Sequence, residues 1–310
     1  MKKDLLAITD LTPNDIAKIL KRSAVLKKML KEGKNSQTLK GKSLGMIFEK
    51  SSTRTRVSFE VGMFQLGGQA LFLSPDDLQI GRGEPIADTA RVLSRYLDGI
   101  MIRTFAQETI EELAHFASVP VINGLTDLHH PCQALADLLT IQERRKTLKG
   151  LSLAYVGDGN NVANSLIQAC VKTGMHFSIA CPRGYELDAP ILSAAKAEGK
   201  QTNATVTATH DPYHAVKNAD VVYTDVWASM GQEAEHAKRM KAFKGYEVDA
   251  KLIKAARPGA LVMHCLPAHR GEEIAASVID GPHSVIFDQA ENRLHVQKAL
   301  LILLLQNGRV

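Results

Sequence analysis

The sequence predicts an α/β protein built from two doubly wound parallel-sheet domains. Three observations carry that expectation. Short apolar runs alternate with helical stretches along most of the chain, the pattern of strand–helix–strand units. A charged segment ending in glycine, residues 146–150, separates two such sets near the middle. The length of 310 residues, 45% hydrophobic and 23% charged, suits about two domains, each with its own core. The expected division is 1–146, 147–288, and a C-terminal helix, 289–310, returning to the first domain.

Thr12, Pro13 and Asp15 open the first helix as cap, first-turn proline and acidic first-turn residue, and Gly33 ends it. Residues 43–48 form an apolar run expected as a buried strand. A helix follows, for which Val57, Val61, Phe64 and Leu66 supply the expected apolar face, with Gly67 and Gly68 at its end. Next come a strand at 69–73, a polar loop punctuated by Pro75, Gly81, Gly83 and Pro85, a helix at 86–96, and a strand at 99–103. A helix at 108–116 and a strand at 119–123 precede a long helix that starts around His129 to Pro131 and runs to about Arg145. The second set has expected strands at 152–156, 177–180, 205–209, 221–223, 261–264 and 284–287.

In open parallel sheets ligands bind at the carboxyl ends of the strands. Ser52, Thr53, Arg54 and Thr55 fall there, where a strand becomes a helix. Hydroxyls, a forked guanidinium and the free N–H groups of a first helical turn suit a phosphate-like anion. A capped helix start with exposed arginines is the plainer reading. It fits poorly, because Arg54 and Arg56 oppose the helix dipole. Arg103, at the end of its strand, and His129–His130 reach the same rim. His130 and Gln133 are three apart and can face one point, although alone they read as a capping histidine and a structural glutamine.

In the second set, Gly157-Asp-Gly-Asn-Asn-Val resembles the start of a dinucleotide fingerprint without its third small residue in register. The segment 225–231 joins Asp225, the only tryptophan, Ser229 and Met230, and reads alone as a surface loop with an aromatic anchor. His264, Cys265 and His269 invite a metal or a Cys–His nucleophile, but no carboxylate with ligand spacing joins them, so no metal is expected. The balance of 38 basic against 33 acidic residues suits small anionic substrates and lacks the basic run expected of a nucleic-acid binder. Four scattered cysteines read as reduced thiols in a cytoplasmic protein. The N-terminus lacks the apolar stretch of a signal peptide, and no apolar run approaches the roughly 20 residues of a membrane span.

S-T-R-T at 52–55, H-P-C-Q at 130–133, D-x-x-x-S-M-G at 225–231 and H-C-L-P at 264–267 stand in order at compatible spacings. With these motifs the whole chain resembles the aspartate/ornithine carbamoyltransferase superfamily. The S-M-G loop and Cys265 point to its ornithine branch. The resemblance implies transfer of a carbamoyl group from carbamoyl phosphate to the δ-amine of L-ornithine, giving citrulline and phosphate in arginine metabolism, without metal or organic cofactor. It implies that Ser52, Thr53, Arg54 and Thr55 hold the phosphate. Arg103, His130 and Gln133 are implied at the carbamoyl group, Pro131 and Cys132 are implied among the substrate-binding residues, and Gln79 is implied to reach carbamoyl phosphate from a neighbouring subunit of a homotrimer. Asn161, Asp225, Ser229 and Met230 are implied at the amino-acid end of ornithine, and Cys265, Leu266 and Arg293 at the reacting centre. Three other readings compete. Transfer to another amine such as putrescine leaves the S-M-G loop with less to bind. A dinucleotide-dependent oxidoreductase leaves residues 52–56 unexplained. A non-catalytic phosphate-binding protein calls for a missing catalytic residue, and none is missing.

Overall fold

The computed structural model describes residues 1–74, 78, 83–228 and 233–306. They form two compact units, Met1–Leu139 with Glu291–Val310, and Thr140–Ala290.

The first unit contains α1 (Pro13–Lys31), β1 (Ser43–Phe48), α2 (Thr53–Gln65), β2 (Gln69–Leu73), α3 (Ile86–Tyr96), β3 (Gly99–Arg103), α4 (Gln107–Phe116) and β4 (Val121–Leu125), followed by most of α5 (Pro131–Arg145). The α1 start is the predicted capping box: Thr12 Oγ1 accepts from Asp15 N while Asp15 takes the Thr12 N–H. The four strands are parallel in the order β2-β1-β3-β4. Strand order reverses between β1 and β3, and the segments after these two strands flank the crevice where such sheets bind ligands. The register slips beside Gly124, so that Ile102 pairs with Asn123 but Arg103 with Leu125. A Cβ on Gly124 would lie 2.5 Å from Met101 Sδ and 3.1 Å from Ile102 O, so a larger residue at this step beside Arg103 would displace Met101. The core is aliphatic, with Ile47, Ile100, Ile102, Ile110 and Leu113 among its members.

The face of α2 differs from expectation. Thr55, Phe59, Gly62 and Met63 are the buried residues, whereas Val57 and Phe64 are exposed. Of the expected face, Leu66 is fully buried and Val61 half-buried; both sides of this helix carry apolar residues, so periodicity alone misplaced Val57 and Phe64. Phe59 and Met63 lie one turn apart on the side that meets the rest of the unit, where Gly62 lets Leu294, Lys298 and Leu301 approach. Phe64 keeps 76% of its surface exposed, and β2 exposes Leu71 and Phe72 beside it in the chain.

The second unit contains the end of α5, β5 (Ser152–Val156), α6 (Asn161–Lys172), β6 (His176–Ala180), α7 (Ala189–Thr202), β7 (Val206–Thr209), α8 (Pro212–Val216), β8 (Val221–Thr224), α9 (His236–Ala242), α10 (Ala250–Ala255), β9 (Leu261–His264) and α11 (Ala276–Ile279). Its five strands are parallel in the order β7-β6-β5-β8-β9, reversing between β5 and β8. Residues 284–287, expected as a strand, form only a single bridge from Ser284 to Val262 before α12 (Ile286–Leu305) begins. The short apolar run there was the first turn of a helix, an ambiguity that periodicity does not resolve. From Glu291 onward α12 belongs to the first unit, with Leu294 and Leu301 against Gly62 and Leu305 against Gly99. The C-terminal helix therefore packs back on the first unit as expected. Among the described residues, no helix is long and apolar enough to cross a membrane.

Candidate functional site

Two constellations stand at the carboxyl edges of the two sheets. In the first unit Ser52 caps α2 from an extended conformation, and its Oγ accepts from Thr55 N at 3.2 Å. Thr55 is fully buried, and its hydroxyl accepts from Arg293 Nη2 at 2.8 Å. Arg293 thus enters the site from α12. Thr53 is exposed and Arg54 half-buried on the same turn. Arg56 turns aside, with its Nε on Glu60 at 3.0 Å and its guanidinium over the Phe72 ring.

His130 precedes Pro131, the first residue of α5, and its carbonyl accepts from Gln133 N and Ala134 N. The imidazole is buried and its pKa is held well below the ordinary histidine value. Burial is the main cause, aided by the charges of Arg293, Arg103 and Arg54. Three guanidinium groups from three segments therefore converge on a neutral imidazole. Gln133, also buried, donates Nε2 to Asp137 Oδ1 at 2.8 Å, while its Oε1 has no hydrogen-bond partner among the described residues. Asp137 fixes which way the amide points and leaves a buried acceptor beside the cationic rim. Sequence reasoning missed Asp137, although the four-residue spacing to Gln133 on one helix was its signal. The Cys132 thiol points inward to Asn123 O at 3.4 Å, and burial pushes its pKa up to about 12.

In the second unit Asp225 follows β8. Its Oδ2 accepts from Asn160 Nδ2 at 2.8 Å, and its Oδ1 from Cys265 Sγ and from its neighbour's Val226 N, both at 2.9 Å. Asn160 also caps α6, with Oδ1 taking the Val162 and Ala163 N–H groups. Asn161, the residue singled out from sequence, is the first residue of that helix, and its carbonyl accepts from Ser165. The residue that holds Asp225 is Asn160. Its signal was an asparagine directly before a helix in a strand–turn–helix unit. Leu266 has φ of 59°, a left-handed conformation uncommon outside glycine and typical of constrained sites, and its N–H donates to His264 Nδ1. Trp227 is buried and stacked on Phe243, as the anchor reading expected. Arg239, which sequence reasoning did not single out, donates to Asp158 Oδ2 and Trp227 O, both at 2.7 Å, and so tethers α9 to the ends of β5 and β8. Gln79, Ser229 and Met230 lie outside the described residues.

The partial glycine fingerprint resolves against a dinucleotide. A Cβ on Gly159 would lie 2.4 Å from Glu186 C, and Gly159 N donates to Tyr185 O. The close approach that a pyrophosphate makes in dinucleotide folds is taken here by the protein's own backbone.

Fold and sites define a two-unit α/β protein with an arginine-rich rim in one unit and a carboxylate–thiol pair in the other. Residues 3–143 match the model of the aspartate/ornithine carbamoyltransferase carbamoyl-P binding domain, and residues 149–304 that of the Asp/Orn binding domain. The chain belongs to the aspartate/ornithine carbamoyltransferase family. It is 60% identical over 303 residues to the ornithine carbamoyltransferase of Halalkalibacterium halodurans, covering 98% of this chain and 95% of that one. The Syntrophus aciditrophicus ornithine carbamoyltransferase is 58% identical over 98% of this chain and its own full length. Among solved structures, the ornithine carbamoyltransferase from Pyrococcus furiosus superposes with a TM-score of 0.95 at 54% identity, covering 98% of this chain and 97% of that chain. The anabolic ornithine carbamoyltransferase from Campylobacter jejuni gives 0.93 at 41%, covering both chains fully.

Proposed function

We propose that the chain transfers the carbamoyl group of carbamoyl phosphate to the δ-amine of L-ornithine, giving L-citrulline and phosphate. The observation that carries the chemistry is the neutral His130 among Arg54, Arg103 and Arg293. The acceptor follows from full-length relatives bearing that name and from the Asp225–Cys265 pair.

Carbamoyl phosphate brings a dianion, which Ser52, Thr53, Arg54, Thr55 and the α2 N-terminus hold. Arg103, His130 and Thr55 donate to the carbamoyl oxygen, where negative charge grows as the amine attacks. An imidazole kept neutral donates without adding a fourth positive charge to the rim. Gln133 Oε1 accepts from the carbamoyl NH2, so the donor's two ends are told apart. Pro131 and Cys132 shape the turn that presents His130 and Gln133, and Arg293 anchors Thr55. In the other unit Asp225 binds the ammonium of ornithine's α-carbon, with Asn161, Ser229 and Met230 at the amino-acid end. Asn160 orients Asp225, and Cys265 and Leu266 meet the reacting amine. That amine is neutral when it attacks, although an alkyl ammonium has a pKa of about 10.4. The nitrogen–carbon bond forms, the carbon–oxygen bond to phosphate breaks, and the amine proton ends on the departing phosphate as hydrogen phosphate, with Cys265 beside the nitrogen.

The protein acts as a cytoplasmic homotrimer in arginine biosynthesis, and Gln79 completes a neighbour's site. The exposed apolar side chains Val57 and Phe64 on α2 are compatible with such an interface. The purified protein is tested with carbamoyl phosphate and L-ornithine, putrescine, N-acetylornithine or L-aspartate. Product from ornithine alone is expected, and equal rates with putrescine would overturn the substrate assignment.

A further inference from the structure

Outside the reacting groups, the turn after β9 gathers a second set of donors. One ligand atom each from His269, Glu272 and Glu273 lie within 4.8 Å of one another. His236, the first residue of α9, brings Nε2 to 3.2 Å from Glu272 Oε2, and His269 Nδ1 stands 3.7 Å from the same oxygen. Donor atoms around a tetrahedral ion with bonds of about 2.1 Å stand about 3.4 Å apart. Two of the spacings are already close to that value.

Exposed His–Glu pairs are common and weak. Glu273 sets this cluster apart. Its side chain is fully buried, and Oε1 accepts from His269 N at 2.6 Å and from His264 Nε2 at 3.1 Å. Its Oε2, equally buried, has no hydrogen-bond partner among the described residues. A buried carboxylate oxygen without a donor carries a desolvation cost that a cation removes. The carboxylates of Glu272 and Glu273 neutralise a divalent charge, and the half-exposed imidazoles leave the site open to solvent. Two imidazoles with two carboxylates suit zinc, cobalt or nickel rather than calcium, which takes six to eight oxygens.

We propose that His269, Glu272 and Glu273 bind one divalent transition cation of the zinc type, and that His236, which stands beside Glu272 but outside that group, swings in as the fourth ligand and ties the start of α9 to the turn that follows β9. The sequence had placed only Cys265 and the histidines together; the fold adds the two carboxylates. The site also reaches the reacting turn. Leu266 N–H donates to His264 Nδ1, and the other ring nitrogen, Nε2, hydrogen-bonds Glu273 Oε1 at 3.1 Å. One imidazole therefore separates the cation from Leu266.

The inference does not rest on the proposed reaction, and its readout is metal binding itself. Chelator-treated full-length protein is titrated with Zn2+ by calorimetry and with Co2+ by visible absorption. The same titrations are run on Cys265→Ser, because Asp225, His264 and Cys265 form a competing group of ligand atoms. One equivalent is expected to bind both proteins equally. His269→Ala and Glu272→Gln, each with unchanged circular dichroism, should weaken binding at least about tenfold. His269→Ala should leave metal-free turnover unchanged. Absence of stoichiometric binding, unchanged affinity in His269→Ala, or loss of binding in Cys265→Ser would each overturn the proposal.

Discussion

Arg54 sits in the first turn of α2, where the helix dipole opposes a cation, and a bound dianion reverses that penalty. Arg54→Gly should remove one or two charge-assisted bonds worth about 1.5–3 kcal/mol each. Turnover should fall by one to several powers of ten, since each ~1.36 kcal/mol is tenfold, while the thermal midpoint stays near wild type because the side chain is only half-buried. Near-normal kinetics would remove Arg54 from the phosphate site. At Cys265 the thiol donates to Asp225, so Cys265→Ser keeps a donor while changing acidity and sulfur contact. A higher KM for ornithine and lower kcat are expected, with carbamoyl phosphate affinity little changed; wild-type values would make the residue structural. His130 carries a pH prediction. Its folded pKa lies below the ordinary 6.5 through burial and three arginines, so between the two values the unfolded chain holds a proton that the folded one lacks. The stability contribution is full above about pH 6.5 and falls as pH drops toward the folded value, by at most ~1.36 kcal/mol per pH unit. Burial lowers His295 too and adds in the same direction. Denaturant melts between about pH 8 and pH 5 should show this slope, and a shallower one in His130→Gln; equal slopes would contradict it. At this scale the sequence was most legible where chemistry is carried by charge type, as in Arg54, Arg103 and His130. It was least legible between neighbours: Asn160 and Asn161 look alike until the helix start decides which one caps.

Helix starts and strand ends place most groups of both constellations; Arg293, from within α12, and Asp137, from within α5, are the exceptions. The strands 69–73, 99–103, 152–156 and 261–264 were readable to the residue because each is a short apolar run bounded by turn residues. The face of α2 and the stretch 284–287 were not, because their apolar residues fit two solutions and tertiary packing chose between them. At α6 a single asparagine joins fold to site, since Asn160 both caps the helix and holds Asp225. The two roles separate by substitution. Asn160→Ala should lose the cap, about 0.5–2 kcal/mol, and also raise KM for ornithine. Asn160→Ser should recover most of the stability, because serine caps well, yet keep the raised KM, because its short side chain does not span to Asp225. If Asn160→Ser restored both, the contact with Asp225 would be incidental to binding.

For the whole molecule, the doubly wound order of both sheets and the return of α12 to the first unit were expected from alternation and from the family motifs. Assembly was not legible from periodicity, since an interface side chain and a misplaced core side chain look the same in sequence. Phe64, at 76% exposure, and Val57, about two turns away on α2, are apolar side chains that the first unit leaves uncovered. In the proposed trimer these side chains meet a neighbour, and Gln79 of one subunit serves the site that contains another subunit's Arg54. Arg54→Gly and Gln79→Ala then damage different halves of a shared site. Homotrimers of either variant should be nearly inactive. After the two are mixed, dissociated and reassembled, some interfaces join an intact Arg54 to an intact Gln79, and a fraction of wild-type turnover should return. Native mass spectrometry identifies the hybrids, so failure to reassemble is distinguishable from failure to complement. Confirmed hybrid trimers with no recovered activity would mean that each chain builds its site alone.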